Sequence, residues 1–453
     1  MHKSLPWAES PRCAFRRPPG PRAVALAAAL LASGCGSEQP KVGMTWFGIA
    51  NWTLEHRSLN VIFDGYVSRI PQDYFSGGGG GLGLTKAPFP IDRGLVDRMH
   101  AVLAGDHPVS YLLTGHSHFD HSFDTPYWAR ATGAHIIGSQ STCYQAQGLG
   151  IPPEQCTPVY GGETFQLSDA VTMRVVLWNH SGSHEQNPEQ HDPVELRGPA
   201  KPDANGNLRG GVAEDFPNGG GNRGYLFVIK QSSGVDLSLF WTNSGSPTDL
   251  YQDVVVDGKN HGSPLQSLSA AMRALGLNRV DLWIAGGGEP VARMVVPVLR
   301  PAAYIPNHLG DFYHPFLDGF DVGPFKDPGL KAFLDSAGIV MLPPVQYMDR
   351  VELDGTGVHM APGRAGKAAF GFPDIPVAKD GGADAAADAR SASTDGGIPA
   401  EAAPPGPRDG AADAPAGDAP GQDGGAPGSG DARVSAIDHL DAAGARRDVR
   451  AGR

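Results

Sequence analysis

Apolar residues recur along the chain in two patterns that predict different elements. Residues 109–113, Val171–Trp178 and 280–285 are short segments in which apolar residues predominate, which is typical of buried strands. Residues 91–103 and 265–275 instead place apolar side chains three or four positions apart, which is the spacing of an amphipathic helix. The middle of the chain is therefore predicted to contain both strands and helices.

Shorter segments with the same patterns complete this prediction. Further helices are predicted at Thr125–Thr132 and 330–337, and further strands at 134–138, 161–167, 225–230, Leu237–Trp241 and 351–353. Two of the predicted strands lead into histidines: His116 and His180 each lie just beyond a predicted strand end. Because a rigid scaffold presents its functional groups at the ends of its strands, these side chains are expected to line one cleft.

The beginning of the chain has the composition of an export signal. Arginines precede the apolar run 23–31 and the small residues that lead to Cys35, which is the order found in secretory signals. Residues 31–35 resemble the bacterial lipoprotein box, in which the cysteine is lipidated; a plain signal that is cleaved elsewhere is the alternative. We therefore assign residues 1–35 to a leader and expect an exported protein of the cell envelope, anchored to the membrane through a lipidated Cys35.

The other end of the chain differs again. Residues 371–453 consist mainly of Ala, Gly, Asp and Pro with almost no large apolar side chain, and such a tail is expected to be disordered. The folded domain is expected to span residues 41–370. The chain is 40% hydrophobic, which is enough to build a core, and its net charge of −12 makes a nucleic acid an improbable partner.

Four cysteines divide between the leader and the domain. Cys13 and Cys35 belong to the leader, which leaves Cys143 and Cys156 in the mature protein. In an exported chain this pair could close a disulfide across a short loop, worth roughly 3 kcal/mol. Their spacing is not that of a zinc ribbon, and neither lies beside the histidine cluster described next, so they are not expected to bind metal.

Residues 114–121, Thr-Gly-His-Ser-His-Phe-Asp-His, bring three histidines and an aspartate together directly after the apolar run 109–113. In extended backbone His116 and His118 would point to the same side. Neutral imidazoles bind zinc, iron or nickel, and a carboxylate beside them adds a hard ligand. A chance surface cluster is the alternative, but side chains that titrate near neutral pH seldom crowd a strand end without a function. The pattern therefore predicts a metal site.

This stretch resembles the His-x-His-x-Asp-His motif of the metallo-β-lactamase superfamily. Residues 46–52 resemble the opening strand of that family, and residues 61–65 resemble its second strand, which ends in an aspartate. The resemblance covers about residues 46–353. It implies an α/β fold in the form of a four-layered αβ/βα sandwich, in which two mixed β-sheets pack face to face between outer layers of helices.

The resemblance also implies two neighbouring metal sites. The first would be formed by His116, His118 and His180, and the second by Asp120, His121 and His308. Where the family has an aspartate that bridges two ions, this chain has Asn243, or Ser244 if the alignment shifts by one residue. An amide oxygen can bind one cation, but it cannot neutralise and bridge two as a carboxylate does. Zinc is the expected metal, with one ion held tightly and a second held weakly or not at all.

A three-imidazole zinc site with one open position lowers the pKa of its bound water to about 7. Asp120 could accept a hydrogen bond from that water and orient it. The expected reaction is the hydrolysis of an ester, lactone, amide or phosphodiester in a small-molecule or lipid-like substrate. The opening strand resembles the branch that contains sugar-lactone hydrolases and N-acyl phosphatidylethanolamine phospholipase D. The alternative is an envelope lipoprotein that keeps the fold and one metal but binds its ligand without cleaving it.

Two further features of the sequence bear on the cleft. The glycine-rich run 76–83 is either a flexible lid over the metal ions or a simple insertion. His184 and His191 lie in a polar stretch and are expected to face solvent or substrate rather than to bind metal.

Overall fold

A computed structural model describes residues 41–71, 74, 88–105, 107–180, 193–210, 215–320, 325–361 and 363–375. Four features predicted from the sequence lie outside these residues: the leader with Cys35, the glycine-rich run 76–83, the pair His184 and His191, and the chain beyond residue 375. Within the described residues no helix is both long and apolar enough to cross a bilayer.

Short strands and helices succeed one another along these residues. The strands are β1 (Val42–Thr45), β2 (Trp52–His56), β3 (Leu59–Phe63), β4 (Pro88–Phe89), β5 (Tyr111–Leu113), β6 (His135–Gly138), β7 (Cys156–Pro158), β8 (Thr164–Gln166), β9 (Val171–Trp178), β10 (Leu208–Arg209), β11 (Asn222–Ile229), β12 (Leu237–Trp241), β13 (Val255–Val256), β14 (Lys259–Asn260), β15 (Leu282–Ala285), β16 (Ala303–Pro306), β17 (Val340–Met341), β18 (Arg350–Asp354) and β19 (Gly357–Ala361). The α-helices are α1 (Arg93–Leu103), α2 (Phe119–Ser122), α3 (Thr125–Thr132), α4 (Gln140–Gly148), α5 (Pro264–Ala274), α6 (Gly288–Leu299), α7 (Pro328–Ser336) and α8 (Arg364–Phe370).

Two large mixed sheets organise these elements. The first has the strand order β19-β18-β1-β2-β3-β5-β6-β7, and the second has the order β17-β16-β15-β12-β11-β9-β8. In each sheet one half is parallel and the other half antiparallel: β3, β5, β6 and β7 run parallel in the first, and β12, β15, β16 and β17 in the second. Helices α3 and α4 contact the first sheet, and α5 contacts the second. This is the predicted four-layered α/β sandwich.

The alternation of side chains in the second sheet shows how the layers pack. Along β12, Leu239 and Trp241 belong to the core between the sheets, whereas Phe240 between them belongs to the core under the outer helices. Across the inner interface the ring of Phe63 lies 4.8 Å from that of Trp241, measured between centroids. A strand that is covered on both faces is apolar at most positions, which explains why apolar residues predominate along β12.

Side-chain caps fix where several predicted helices begin. Asp92 accepts a hydrogen bond from Leu95 N at 2.9 Å and starts α1, and Asp327 accepts from Leu330 N at 2.9 Å and starts α7. Such caps satisfy backbone donors that would otherwise have no partner. Helix α3 has the predicted bounds. Helices α4 and α6 were not predicted; α6 contains Pro297, which interrupts the helical signal in the sequence.

Cys143 and Cys156, the two cysteines outside the predicted leader, form the disulfide that the sequence left open. Cys143 on α4 is bonded to Cys156 on β7, with 5.6 Å between their Cα atoms. The bond joins the helix to the edge strand of the first sheet. It therefore supports the layer that packs behind the histidine cluster.

Residues 371–375 follow the boundary that was expected at residue 370, and they pack on the domain. Phe372 is buried, and its ring lies 5.5 Å from Phe316 and 5.9 Å from Tyr347, measured between centroids. Asp374 accepts a hydrogen bond from Arg364 Nε at 2.9 Å. The tail composition hid this contact because a single phenylalanine within a Gly- and Pro-rich stretch gives no periodic pattern.

Two truncations of the mature protein test this boundary. A chain that ends after residue 370 is expected to melt several degrees lower, because the aromatic cluster loses the buried ring of Phe372. A chain that ends after residue 375 keeps that ring and is expected to melt within error of the longer protein. Thermal unfolding followed by circular dichroism measures both, and equal melting temperatures would show that Phe372 contributes nothing.

Candidate metal centre

Residues from five strand ends meet at one edge of the sandwich. His116 and His118 lie in the turn between β5 and α2, and Asp120 and His121 lie on α2 itself. His180 follows β9 by two residues, Asn243 follows β12 by two, and His308 follows β16 by two, while Asp64 directly follows β3. The structure thus brings together every residue that was predicted to bind metal.

The three histidines of the predicted first site surround a common point. The ring centroids of His116, His118 and His180 lie 4.6 to 4.7 Å apart, and the rings meet edge to face. All three are buried, and one ring nitrogen from each lies within 4.8 Å of the others. Rings that share one centre in this way present their lone pairs to the same ion.

The donor atoms of this group fit a transition-metal ion. His116 Nε2 and His118 Nδ1 face each other at 3.0 Å, close to the roughly 3.3 Å expected between two nitrogens on one tetrahedral zinc. Burial and the neighbouring imidazoles hold the pKa values of His116 and His118 well below the usual range, so both rings stay neutral. His118 Nε2 is buried and has no hydrogen-bond partner among the described residues. Hydrogen bonds alone therefore do not account for the position of this ring.

Asp120 is the anionic member of the centre. Its Oδ2 atom lies 3.2 Å from His121 Nε2 and 3.2 Å from His308 Nε2. Burial would raise the pKa of Asp120, but the two histidines hold it well below its usual range, so the carboxylate is ionised. The side chain of His308 is 30% exposed, whereas that of His121 is 1% exposed. The centre therefore opens to solvent on the side of His308.

The two groups are contiguous. His116 also lies within 4.8 Å of donor atoms from Asp120 and His121, so a second triad of possible ligands shares one histidine with the first. Burial would lower the pKa of His121, but the carboxylates of Asp120 and Asp64 raise it to about 10. In the absence of metal this ring is a cation held between two carboxylates, and binding an ion at Nε2 would release its proton.

Asn243 occupies the position between these groups, and its amide nitrogen faces a carboxylate. Nδ2 donates to Asp64 Oδ2 at 3.0 Å, and His121 Nδ1 donates to the same oxygen at 2.7 Å. The amide oxygen then faces His116 Nδ1 at 3.4 Å. The contacts to His121 and to His116 take the Nδ1 atom of each ring and leave its Nε2 atom on the side of the other possible ligands. That the amide oxygen itself binds metal remains a prediction.

The backbone around this position is shaped to admit these side chains. A Cβ atom at Gly115 would collide with the amide of Asn243, so only glycine leaves room there. Asp64 and His308 both adopt left-handed backbone conformations, with φ of 57° and 59°. Non-glycine residues in this region are strained, and such strain is typical of functional sites.

A second layer of hydrogen bonds fixes the turn that carries the histidines. Gln145 on α4 donates from Nε2 to Ser117 O at 2.9 Å and to Asp215 O at 2.8 Å, and its Oε1 accepts from Ser122 Oγ at 2.8 Å. One buried amide thus joins the turn, the helix α2 and a neighbouring loop. Because Gln145 holds both sides of the turn, the spacing of the histidines is set before any ion binds.

Three residues of the centre were given no role from the sequence. Asp64 was noted only as the end of a strand, and neither Gly115 nor Gln145 was singled out. The signal for Asp64 was present, since an aspartate at a strand end is a common place for a functional carboxylate. Ser244, the alternative to Asn243, instead offers its backbone oxygen to Trp178 Nε1 at 2.9 Å.

The chain folds into two mixed β-sheets flanked by helices, with a buried cluster of histidines and an aspartate that could hold a metal ion at its open edge. No protein-family model matches the sequence. A UPF0173 metal-dependent hydrolase of Pyrobaculum islandicum is 27% identical over 138 residues, which cover 30% of this chain and 50% of that protein. The one from Pyrobaculum neutrophilum is 36% identical over 143 residues, again 30% and 50%. The chain thus spans about half the length of the curated relatives it matches.

Solved structures with related architecture show low sequence identity. Igni18, a metallo hydrolase from Ignicoccus hospitalis, is 14% identical with a TM-score of 0.38, and the match covers 69% of this chain and 99% of that one. YhfI from Bacillus subtilis, a metallo-β-lactamase fold protein, is 11% identical with a TM-score of 0.35, covering 69% and 99%. CmlA, a diiron β-hydroxylase from Streptomyces venezuelae, is 15% identical with a TM-score of 0.37, covering 70% and 54%.

Proposed function

We propose that this protein is a metal-dependent hydrolase that uses zinc to cleave an ester, a lactone or a phosphodiester. The observation that carries the proposal is the convergence of three buried histidine rings on one point, beside an ionised carboxylate at the open side of the centre. The relatives from Pyrobaculum are named metal-dependent hydrolases, which agrees with this assignment. Imidazole-rich sites with an open position suit zinc.

The residues divide into three roles. His116, His118 and His180 would hold the first ion, while Asp120, His121 and His308 would hold a second one. When bound, zinc supplies Lewis-acid activation of water near neutral pH. Asp120 orients the attacking water by accepting its hydrogen bond, which an ionised carboxylate at the open side of the centre can do. Asp64 and Asn243 keep the rings of His121 and His116 aligned from behind.

One observation favours a second function. The position that carries a bridging carboxylate in the family is occupied by Asn243, whose amide nitrogen is engaged by Asp64. A centre with less negative charge holds fewer cations, and a protein with one structural ion could bind its ligand without cleaving it. Against this stands Asp120, which has no purpose in a structural site made of three histidines.

Metal content and activity separate the two functions. After exhaustive dialysis the mature protein is expected to retain about one zinc per chain, with a second appearing only at added metal, because Asn243 supplies no charge to compensate two dications. Hydrolysis of generic esters, lactones and phosphodiesters is expected to stop with chelator and to return with zinc. Tight metal without any turnover would favour the binding protein, and two equivalents after dialysis would mean that another residue provides the bridge.

We further propose that the protein acts in the cell envelope, anchored by lipid at Cys35. The basic, apolar and small residues of positions 1–35 support this, as does the composition of a lipoprotein box at residues 31–35. Cys35→Ala is expected to release the protein from the membrane fraction and to remove the mass of the lipid. Unchanged fractionation and mass in this variant would show that a plain signal is cleaved instead.

A further inference from the structure

Arg69 is a buried cation without a partner among the described residues. Its side chain belongs to the segment that follows β3, the residue is 4% exposed, and its backbone is left-handed with φ of 50°. Nε, Nη1 and Nη2 are all buried, and none of them has a hydrogen-bond partner within the described part of the chain. A guanidinium carries five donors, so this is an unusually large deficit.

The groups around Arg69 are aromatic rings and a carboxylate that is engaged elsewhere. The guanidinium carbon lies 5.3 Å from the ring centre of Tyr66 and 5.9 Å from that of Tyr347. Asp124 is near enough to feel the charge of Arg69. However, its oxygens accept from Val67 N at 2.7 Å and from the backbone and hydroxyl of Ser68 at 2.8 and 2.5 Å. Asp124 therefore pins the loop rather than pairing with Arg69.

The buried guanidinium of Arg69 requires a counter-ion. An arginine does not lose its proton in a protein, and burying an uncompensated charge is strongly unfavourable. Cation–π contacts with two tyrosine rings offset only part of that cost. The fork of N–H groups on a guanidinium matches the two oxygens of a carboxylate or a phosphate.

Arg69 is connected to the metal centre through two sets of packed residues. The ring of Tyr66 packs edge to face against Phe119 at 5.8 Å, and Phe119 precedes Asp120. On the other side, a Cβ atom at Gly48 would lie 2.5 Å from Arg69 Nη2. The next residue, Ile49, exchanges backbone hydrogen bonds with Leu309, the neighbour of His308. The guanidinium thus lies one layer of residues behind two predicted metal ligands.

We propose that Arg69 binds an oxyanion, the phosphate or carboxylate group of a ligand, next to the metal centre. The anion supplies a counter-charge, which the described residues do not supply. Its oxygens accept hydrogen bonds from the N–H groups of the guanidinium, which otherwise have no acceptor among the described residues. That this oxyanion belongs to the substrate rests on the proposed function, and it would make the enzyme selective for anionic esters or phosphodiesters. The binding site itself does not depend on turnover.

Titration calorimetry with inorganic phosphate and with acetate tests the site. Phosphate could also bind the metal, so the measurement is made on the metal-loaded protein and on the His118→Ala variant, in which the metal centre is disabled. Saturable binding of an oxyanion is expected in both. Adding Arg69→Gln is expected to weaken it at least tenfold, whereas Arg293→Gln is expected to leave it unchanged. Arg293 is the matched control because it is an exposed arginine that pairs with Glu289 on α6.

Each outcome decides the proposal. Binding that survives in His118→Ala and is lost with Arg69→Gln supports it, and so does partial retention in Arg69→Lys. Binding that is lost in His118→Ala but kept in Arg69→Gln would place the anion on the metal and overturn it. The proposal is also overturned if the His118→Ala protein binds neither phosphate nor acetate, or if it binds chloride equally well. Arg69 would then be a cation that packs against two tyrosine rings and does not bind an oxyanion. If the Arg69→Gln protein does not fold, the measurement of oxyanion and chloride binding by the His118→Ala protein decides the proposal.

The proposed function can fail separately. An anion site without hydrolysis would leave the Arg69 assignment standing, and hydrolysis without an anion site would leave the metal chemistry standing. Where turnover is found, Arg69→Gln is expected to raise KM for an anionic substrate at least tenfold, with little change for a neutral analogue.

Discussion

Replacing His118 with alanine is expected to abolish tight zinc binding and to reduce hydrolysis to the uncatalysed rate. The ring of His118 contacts both other histidines of the first group, at 4.6 and 4.7 Å between centroids, and its Nδ1 faces His116 Nε2. Two imidazoles do not make the three-ligand site that a catalytic zinc requires. Metal analysis after dialysis, together with initial rates on whichever substrate the screen identifies, measures both effects.

A histidine outside the centre provides the control for this variant. His359 on β19 is exposed, and its Nε2 atom lies 2.8 Å from Thr356 Oγ1, on a strand at the edge of the first sheet. His359→Ala is expected to keep the metal and the activity of the unmodified protein. Retention of a full zinc equivalent by His118→Ala would show that the first site is built from other donors.

The positions of the candidate metal ligands were predictable because several of them follow a strong local signal. The apolar run before His116 and His118 and the long apolar strand before His180 both mark strands, and a strand places its last residues with little freedom. The helices with acidic caps were predictable for the same reason, since the cap residue and the apolar spacing agree. In these cases the local pattern and the tertiary structure impose the same conformation.

Contacts between residues far apart in sequence were not predictable in this way. Asp64 and Asn243 are separated by 179 positions, and nothing near either residue indicates that the two share a hydrogen bond. Arg69 lies in a short segment between predicted elements, and nothing in its sequence indicates that the guanidinium is buried. Its burial depends on Tyr347, which arrives from the other end of the domain. Such features follow from packing, which a single sequence does not display.

The disulfide illustrates an intermediate case. The sequence showed that Cys143 and Cys156 were the cysteines left for the mature chain, but a helix end and an edge strand had to be placed before their distance was known. The unpredicted helix α4 supplies that placement. The same helix carries Gln145, which hydrogen-bonds to the turn that contains His116 and His118. Because this helix was not predicted, neither the disulfide geometry nor the hydrogen bond from Gln145 could be predicted.

Asn243→Asp is expected to have opposite effects on the metal-free and the metal-loaded protein. Without metal, the new carboxylate would stand about where the amide nitrogen now donates to Asp64, at 3.0 Å. The variant loses a hydrogen bond to a charged group and gains a like charge beside Asp64 in a buried place. The cationic ring of His121, whose Nδ1 lies 3.1 Å from the present amide nitrogen, offsets this repulsion only in part, because it already pairs with Asp64 and Asp120. Such a change is worth roughly 2–4 kcal/mol, so the metal-free variant should unfold at lower denaturant concentration.

With metal the same substitution is expected to help. A carboxylate at position 243 would stand beside His116, the histidine that both groups of ligands share, and would add a negative charge near a second dication, which an amide does not. The affinity for a second zinc is therefore expected to rise roughly tenfold or more. Zinc titration followed by calorimetry measures this affinity, and chemical unfolding with chelator or with zinc measures the two stabilities.

The double variant Asp64→Asn with Asn243→Asp is the matched control, because it restores one carboxylate and one amide in exchanged positions. The amide at position 64 can donate to the carboxylate at 243, so the metal-free stability is expected to recover most of what Asn243→Asp alone loses. His121 Nδ1, however, loses the Asp64 oxygen that it contacts at 2.7 Å, and His121 therefore becomes a poorer ligand. The double variant is therefore expected to show a smaller increase in affinity for a second zinc than Asn243→Asp alone. Two results would contradict this account: an unchanged stability of the metal-free Asn243→Asp protein and an unchanged affinity for a second zinc. Together they would show that the side chain at position 243 faces away from the ions and that its hydrogen bond to Asp64 does not determine the geometry of the centre.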